Sequence, residues 1–150
     1  MKTSNILAGV FAAILMAGGT TLAADGPRDV ATQANAAWDA AFKTGDAAQL
    51  AALYAEDAIV SPGNGQLVQG RDAIAGLFKG FFEAGLREHR LELLQVGGDG
   101  RRVWQVSRWQ ASGAGADGSA LRFGGITTSV LELGSDGRWR GRSHVWNAAP

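Results

Sequence analysis

Apolar or small side chains recur at Val30, Ala34, Ala37, Trp38, Ala41 and Phe42, a spacing that puts them on one face of a helix. Gly45 follows as the left-handed cap that ends such a helix. Asp46, with Gln49 three residues on, resembles a capping box opening a second, short helix whose buried side is Leu50, Leu53 and Tyr54. No spare residue separates the two helices, so the chain must turn sharply. Asp57 to Ser61 reads as a short strand, broken by Pro62-Gly63-Asn64-Gly65, and the loop runs on to Gly70. Ile74, Leu77, Phe78, Phe81 and Phe82 then fall at i, i+3, i+4, i+7 and i+8, the strongest helical pattern in the chain. Gly76 and Gly80 lie inside this helix at a cost of about 1 kcal/mol each relative to alanine, and close approach of another backbone is the expected reason.

From Glu88 the period changes to two. Strands are expected over Glu88 to Val96, Arg101 to Ala111, Ala120 to Leu133 and Arg138 to Asn147, joined by glycine-rich connectors. Connectors this short hold no crossover helix, so these strands form an antiparallel meander. Three helices and such a meander make an α+β fold: a cone-shaped, strongly bent antiparallel sheet with the three helices over its concave face. The gap between the two layers is the default place for a small ligand.

Composition bounds the rest. Lys2, the uncharged run from Ile6 to Ala17 and the small residues up to Ala24 resemble a secretory signal peptide over residues 1–24; the apolar run falls short of the roughly 20 residues a membrane span needs. Residues 25–150 are then a single domain, expected to be secreted and periplasmic, with no membrane span after cleavage. The chain has no cysteine, so it stands on its packed core without disulfide staples. Residues 24–100 carry six basic and eleven acidic side chains and residues 101–150 seven and three, an asymmetry compatible with solvated surface or with an anionic ligand near the strands.

Several motifs fail on context. Gly113-Ala114-Gly115-Ala116-Asp117-Gly118 matches the dinucleotide fingerprint in letters, but a strand follows where the pyrophosphate-binding helix must begin. No nucleophile elbow occurs. His89 and His144 are the only histidines and lack metal-ligand spacing, so neither metal nor cofactor is expected. Arg138 to Trp146 interleaves cations with aromatics, but secretion and a formal charge of zero argue against nucleic acid.

On a strand, that last segment separates Trp139, Gly141, Ser143 and Val145 from Arg140, Arg142, His144 and Trp146. Its neighbour separates Val103, Gln105, Ser107 and Trp109 from Trp104, Val106, Arg108 and Gln110. Of the five tryptophans, a core accounts for two or three; the others suit a pocket wall or a subunit contact.

Trp38-x-x-x-Phe42-x-x-Gly45-Asp46, Leu53-Tyr54-Ala55-Glu56-Asp57-Ala58, the Pro62 loop, Gly70-Arg71-Asp72-Ala73-Ile74 and Asp136-Gly137-Arg138-Trp139 together resemble the nuclear transport factor 2-like superfamily. Within it the chain is similar to the SnoaL-like group, related in fold to ketosteroid isomerases and the calmodulin-dependent kinase association domain. The resemblance covers residues 29–147 and implies a cystatin-like roll. It does not settle function, because the superfamily mixes isomerases, cyclases, dehydratases, binding modules and association domains. The isomerase machinery is not matched: Trp38 stands where those enzymes have an oxyanion-donating tyrosine, Val60-Ser61 precede Pro62 where a base aspartate is needed, and Ala120 to Leu131 holds no carboxylate. Tyr54 and Trp146 do match cavity positions.

Three readings follow. The first is a homodimeric domain binding a small apolar or aromatic molecule against Trp38, Tyr54, Phe82, Trp109 and Trp146, with Gln105, Arg142 or His144 meeting its polar group. The second is a cofactor-independent isomerase, dehydratase or cyclase with His144 as acid or base. The third is an association domain without ligand.

Overall fold

The structure is a computed structural model that describes residues 25–148; the leader expected over residues 1–24 lies outside them. Helix α1, Pro27–Thr44, begins with proline at its first position, where the missing N–H costs nothing. It ends at Gly45, whose φ of 71° sends its N–H back to the Phe42 carbonyl. Asp46 caps α2, Ala47–Ala51, by accepting from the Ala48 and Gln49 amides at 2.9 and 3.0 Å. The capping box is only half formed: the Gln49 side chain accepts from the Thr44 hydroxyl, which in turn takes the Asp46 N–H.

The next strand, β1, spans Tyr54–Ser61 and starts three residues earlier than the pattern suggested, so Tyr54 is the first strand residue and not part of α2. A two-residue edge strand, β2 at Val68–Gln69, lies within the expected loop; two residues are too few to leave a period. Helix α3, Arg71–Glu83, buries Ile74, Phe78 and Phe82. Gly76 and Gly80 correct the close-packing expectation, because a methyl group at either would meet nothing within 4 Å.

The long strands are β3 (Leu86–Gly98), β4 (Arg102–Ala114), β5 (Ala120–Leu133) and β6 (Trp139–Trp146). Sheet order is β2-β1-β6-β5-β4-β3. The last four strands form the expected antiparallel meander, while β1 joins β6 in parallel, so one pair departs from the all-antiparallel expectation. Register shifts occur twice between β3 and β4 and once between β5 and β6. An extra residue on one strand sharpens local bend and twist, which fits a curved, open sheet with the helices on one side.

The concave face carries the core. Phe42, Leu50, Tyr54, Ile74, Phe78 and Phe82 join the helices to β1, β3 and β4, and a smaller group of Val30, Ala31, Val103 and Leu131 fixes the first half of α1 to β4 and β5. Along β4 the alternation is strict: Val103, Gln105, Ser107 and Trp109 are buried, whereas Trp104 is 45% exposed on the outer face.

Candidate functional site

Two cavities of about 350 Å³ each lie between helices and sheet. Trp38, Leu91, Thr127 and His144 border both, so the two adjoin. The aromatic cavity is walled by Phe78, Phe81, Trp109, Phe123 and Trp146, with Pro62 and Ala148 on its lining. The other cavity lies against the first half of α1 and includes Val30, Asn35, Gln105, Ser129, Leu131 and Trp139.

Two of these shared residues, Trp38 and His144, are tied together through Tyr54 by hydrogen bonds. Trp38 on α1 donates its Nε1–H to the Tyr54 hydroxyl at 2.9 Å, and that hydroxyl lies 2.7 Å from His144 Nδ1 on β6. An indole N–H only donates, so the Tyr54 oxygen accepts from Trp38 and its single proton is directed to His144 Nδ1. His144 therefore carries its hydrogen on Nε2. Burial, aided by the positive charge available to His89, pushes the His144 imidazole down to about 3, so the ring is neutral and acts as a donor. Burial likewise raises the Tyr54 phenol above its usual range. Gly141 makes room for this arrangement, since a methyl group there would sit 3.0 Å from the Tyr54 ring.

On the other side of Trp38, successive residues face different partners. Asp39 Oδ1 lies 2.7 Å from His89 Nδ1, and Asp39 Oδ2 accepts the Leu91 backbone N–H at 3.1 Å. A carboxylate only accepts, so His89 Nδ1 is the donor. The ring lies 4.3 Å from the Trp38 ring and nearly parallel to Trp109, on the wall of the aromatic cavity. Trp109 is itself tied by Nε1–H to the Asn147 carbonyl at 3.0 Å.

The expected residues divide. Trp38 and His144 border both cavities, Tyr54 and Gln105 the second, Trp109 and Trp146 the aromatic one. Phe82 instead belongs to the core, 5% exposed and edge-on to Phe42 at 4.9 Å. Arg142 also differs from expectation. Val130 pairs with Ser143 and Leu131 with Gly141, which leaves Arg142 as the extra residue of the β6 bulge and breaks the alternation that grouped it with His144. Its guanidinium is held outside the cavities by Asp57 and Glu132, and it keeps the Asp57 carboxyl below its usual range.

Asp39 and the His89 dyad were missed in the sequence. The available signal was parity, because His89 and Leu91 fall on the same strand face, but nothing local links them to a helix 50 residues earlier. Among the described residues no cluster of three or more histidine and acidic side chains is placed to hold a metal ion, and no helix is long and apolar enough to cross a membrane.

The fold and cavity place the chain among the cone-shaped α+β domains with helices over a curved sheet. Residues 35–142 match the SnoaL-like domain, and the chain belongs to that family. Among solved structures it is similar to a ketosteroid isomerase-like protein from Erwinia carotovora atroseptica, with 18% identity over 81% of this chain and 95% of that one and a TM-score of 0.71. A cystatin-fold NTF2-like protein from Novosphingobium aromaticivorans gives 19% identity, 81% of each chain and a TM-score of 0.68. A candidate calcium/calmodulin dependent protein kinase II association domain from Xanthomonas campestris gives 25%, 86% of this chain, 92% of that chain and 0.67. No curated protein matches.

Proposed function

We propose that this chain is a secreted, periplasmic domain that binds a small apolar or aromatic molecule carrying a carbonyl or similar acceptor. The observation that carries this reading is the Trp38–Tyr54–His144 chain at the base of an aromatic cavity, which fixes His144 as a neutral donor among hydrocarbon walls. Apolar walls supply affinity and one preset donor supplies orientation. Export rests on the leader pattern over residues 1–24. Thermal-shift screening with aromatic acids, steroids and polyketide-like ketones tests the binding role. At least one class raises Tm in proportion to ligand concentration; no rise with any class contradicts it.

Proton transfer is a second reading, favoured by the Asp39–His89 pair beside the same cavity. It places the base at His89, because a neutral His144 with so low a pKa is a poor proton acceptor at ordinary pH. A similar structure is described as a candidate dehydratase of the NTF2-like family from Streptomyces avermitilis, at 16% identity, which is compatible with this chemistry and no more.

The same domain is read as a homodimer through its outer sheet face. There Trp104 opposes Val130, Val106 opposes Thr128, which opposes Val145, and Ile126 and Ile59 lie exposed nearby. Such an apolar area suits a second copy, and the similarity to a candidate association domain agrees. A monomer by light scattering at micromolar concentration removes this part of the proposal. Association without any ligand stays the third reading, and the screen above separates it from the first.

A further inference from the structure

Residues 101–150 carry seven basic side chains, and the ion pairs of the sheet account for four of them. Arg102 meets Glu132, Arg108 meets Glu92, Arg140 meets Asp136, and Arg142 lies between Asp57 and Glu132. Among the described residues Arg101, Arg122 and Arg138 meet no carboxylate. Of these three only Arg138 lines a cavity, the one against the first half of α1. It is exposed in the turn between β5 and β6, so the cavity meets solvent there. Behind it the wall is hydrocarbon, with Val30, Ala34, Leu131 and Trp139, and no carboxylate is on the lining. The acids nearby are engaged: Asp136 gives its two oxygens to Arg140 at 2.9 and 2.7 Å, and Asp25 takes the Gln33 carboxamide N–H at 3.2 Å. A planar guanidinium matches both oxygens of a carboxylate, and an oily wall behind it suits an anion carried on an apolar body.

We propose that this side of the interior takes a small carboxylic acid, its carboxylate on Arg138 and its hydrocarbon part against Val30, Leu131 and Trp139. The proposal rests on the small-molecule-binding reading above and adds the charge and orientation of what enters here. It holds whether one molecule or two fill the adjoining cavities.

An NMR titration at pH 7 with 3-phenylpropanoate and 3-phenylpropanamide tests this, because the two share a shape and differ in charge. The acid shifts the Val30 and Leu131 methyls and the Trp139 indole. It binds about three- to fivefold more tightly than the amide at low salt, the factor an exposed ion pair gives, and sodium chloride at about 0.5 M removes most of that advantage. Arg138→Gln, a change in an exposed turn, makes the two ligands equal. Arg122→Gln removes the same charge from the other end of β5, away from both cavities, and leaves the preference intact. Equal affinities for acid and amide in the unaltered protein overturn the proposal, as does a preference that survives Arg138→Gln. So do shifts confined to the Ala111 and Leu121 methyls of the aromatic cavity, or no binding of either compound at tens of millimolar. Ligands of the aromatic cavity are read at the Trp109 and Trp146 indoles instead, so failure here is distinguishable from failure there.

Discussion

Asp39 and His89 are adjacent across the α1–β3 contact, Oδ1 to Nδ1 at 2.7 Å, with the second carboxylate oxygen anchored on the Leu91 amide. Two anchors on one carboxylate fix both the ring's orientation and which nitrogen holds the hydrogen, as in other acid–histidine pairs. If the pair moves protons, 1-tetralone in heavy water exchanges its α-hydrogens faster with the protein than without it. His89→Gln lowers that rate by about 100-fold, the low end of general-base contributions, and Asp39→Asn lowers it less. NMR loss of the α-proton signal measures this; exchange no faster than in buffer removes the enzymatic reading and leaves the binding one.

The Tyr54 hydroxyl serves two interior groups at once, Trp38 Nε1–H and His144 Nδ1. Tyr54→Phe removes one oxygen and strands both partners. Each unsatisfied buried group costs about 1–3 kcal/mol, so the variant loses about 2–6 kcal/mol with no change in fold. Urea denaturation with an unchanged m-value reads the loss as stability alone.

His144 makes stability depend on pH. Burial depresses its folded pKa to about 3, from the 6.5 usual for an imidazole. Between those values the unfolded chain takes a proton that the folded one refuses, so this contribution is fully present above pH 6.5 and is lost as pH falls below it. At pH 5 the loss is about 2 kcal/mol. Thermal melts at pH 7 and pH 5 show the drop, and His144→Gln, which still offers Tyr54 an acceptor, shows a smaller one.

Gly76 and Gly80 are exposed helical glycines with open space around the missing methyl. Replacing either with alanine stabilises α3 by about 1 kcal/mol and raises Tm by roughly 3–5 °C. Unchanged or lower Tm in both variants means that the softness of this helix is not set by its glycines.

The helices, the meander and the inward face of β4 were legible because each has a sustained period: Ile74 to Phe82 for α3, Val103 to Trp109 for β4. Where local irregularity decides, periodicity misleads. One extra residue in β6 turned Arg142 out to Asp57 while leaving His144 and Trp146 facing in, and a residue count cannot see a bulge. Phe82 has the right type and face for a cavity wall, but Phe42 covers it, a contact made between two helices. The pairings Asp39–His89 and Tyr54–His144 join residues 50 and 90 positions apart, and no window along the chain spans them.

The central claim is that the aromatic cavity above His144 receives a small acceptor-bearing molecule. A methyl and indole NMR titration with 1-tetralone tests it most directly. The account predicts saturable shifts concentrated at the Trp109 and Trp146 indoles and the Ala111 and Leu121 methyls, with the His144 Nε2–H resonance moving as it meets the carbonyl. Absence of saturable shifts at millimolar ligand, or shifts scattered over the outer sheet face with the His144 resonance unmoved, contradicts it.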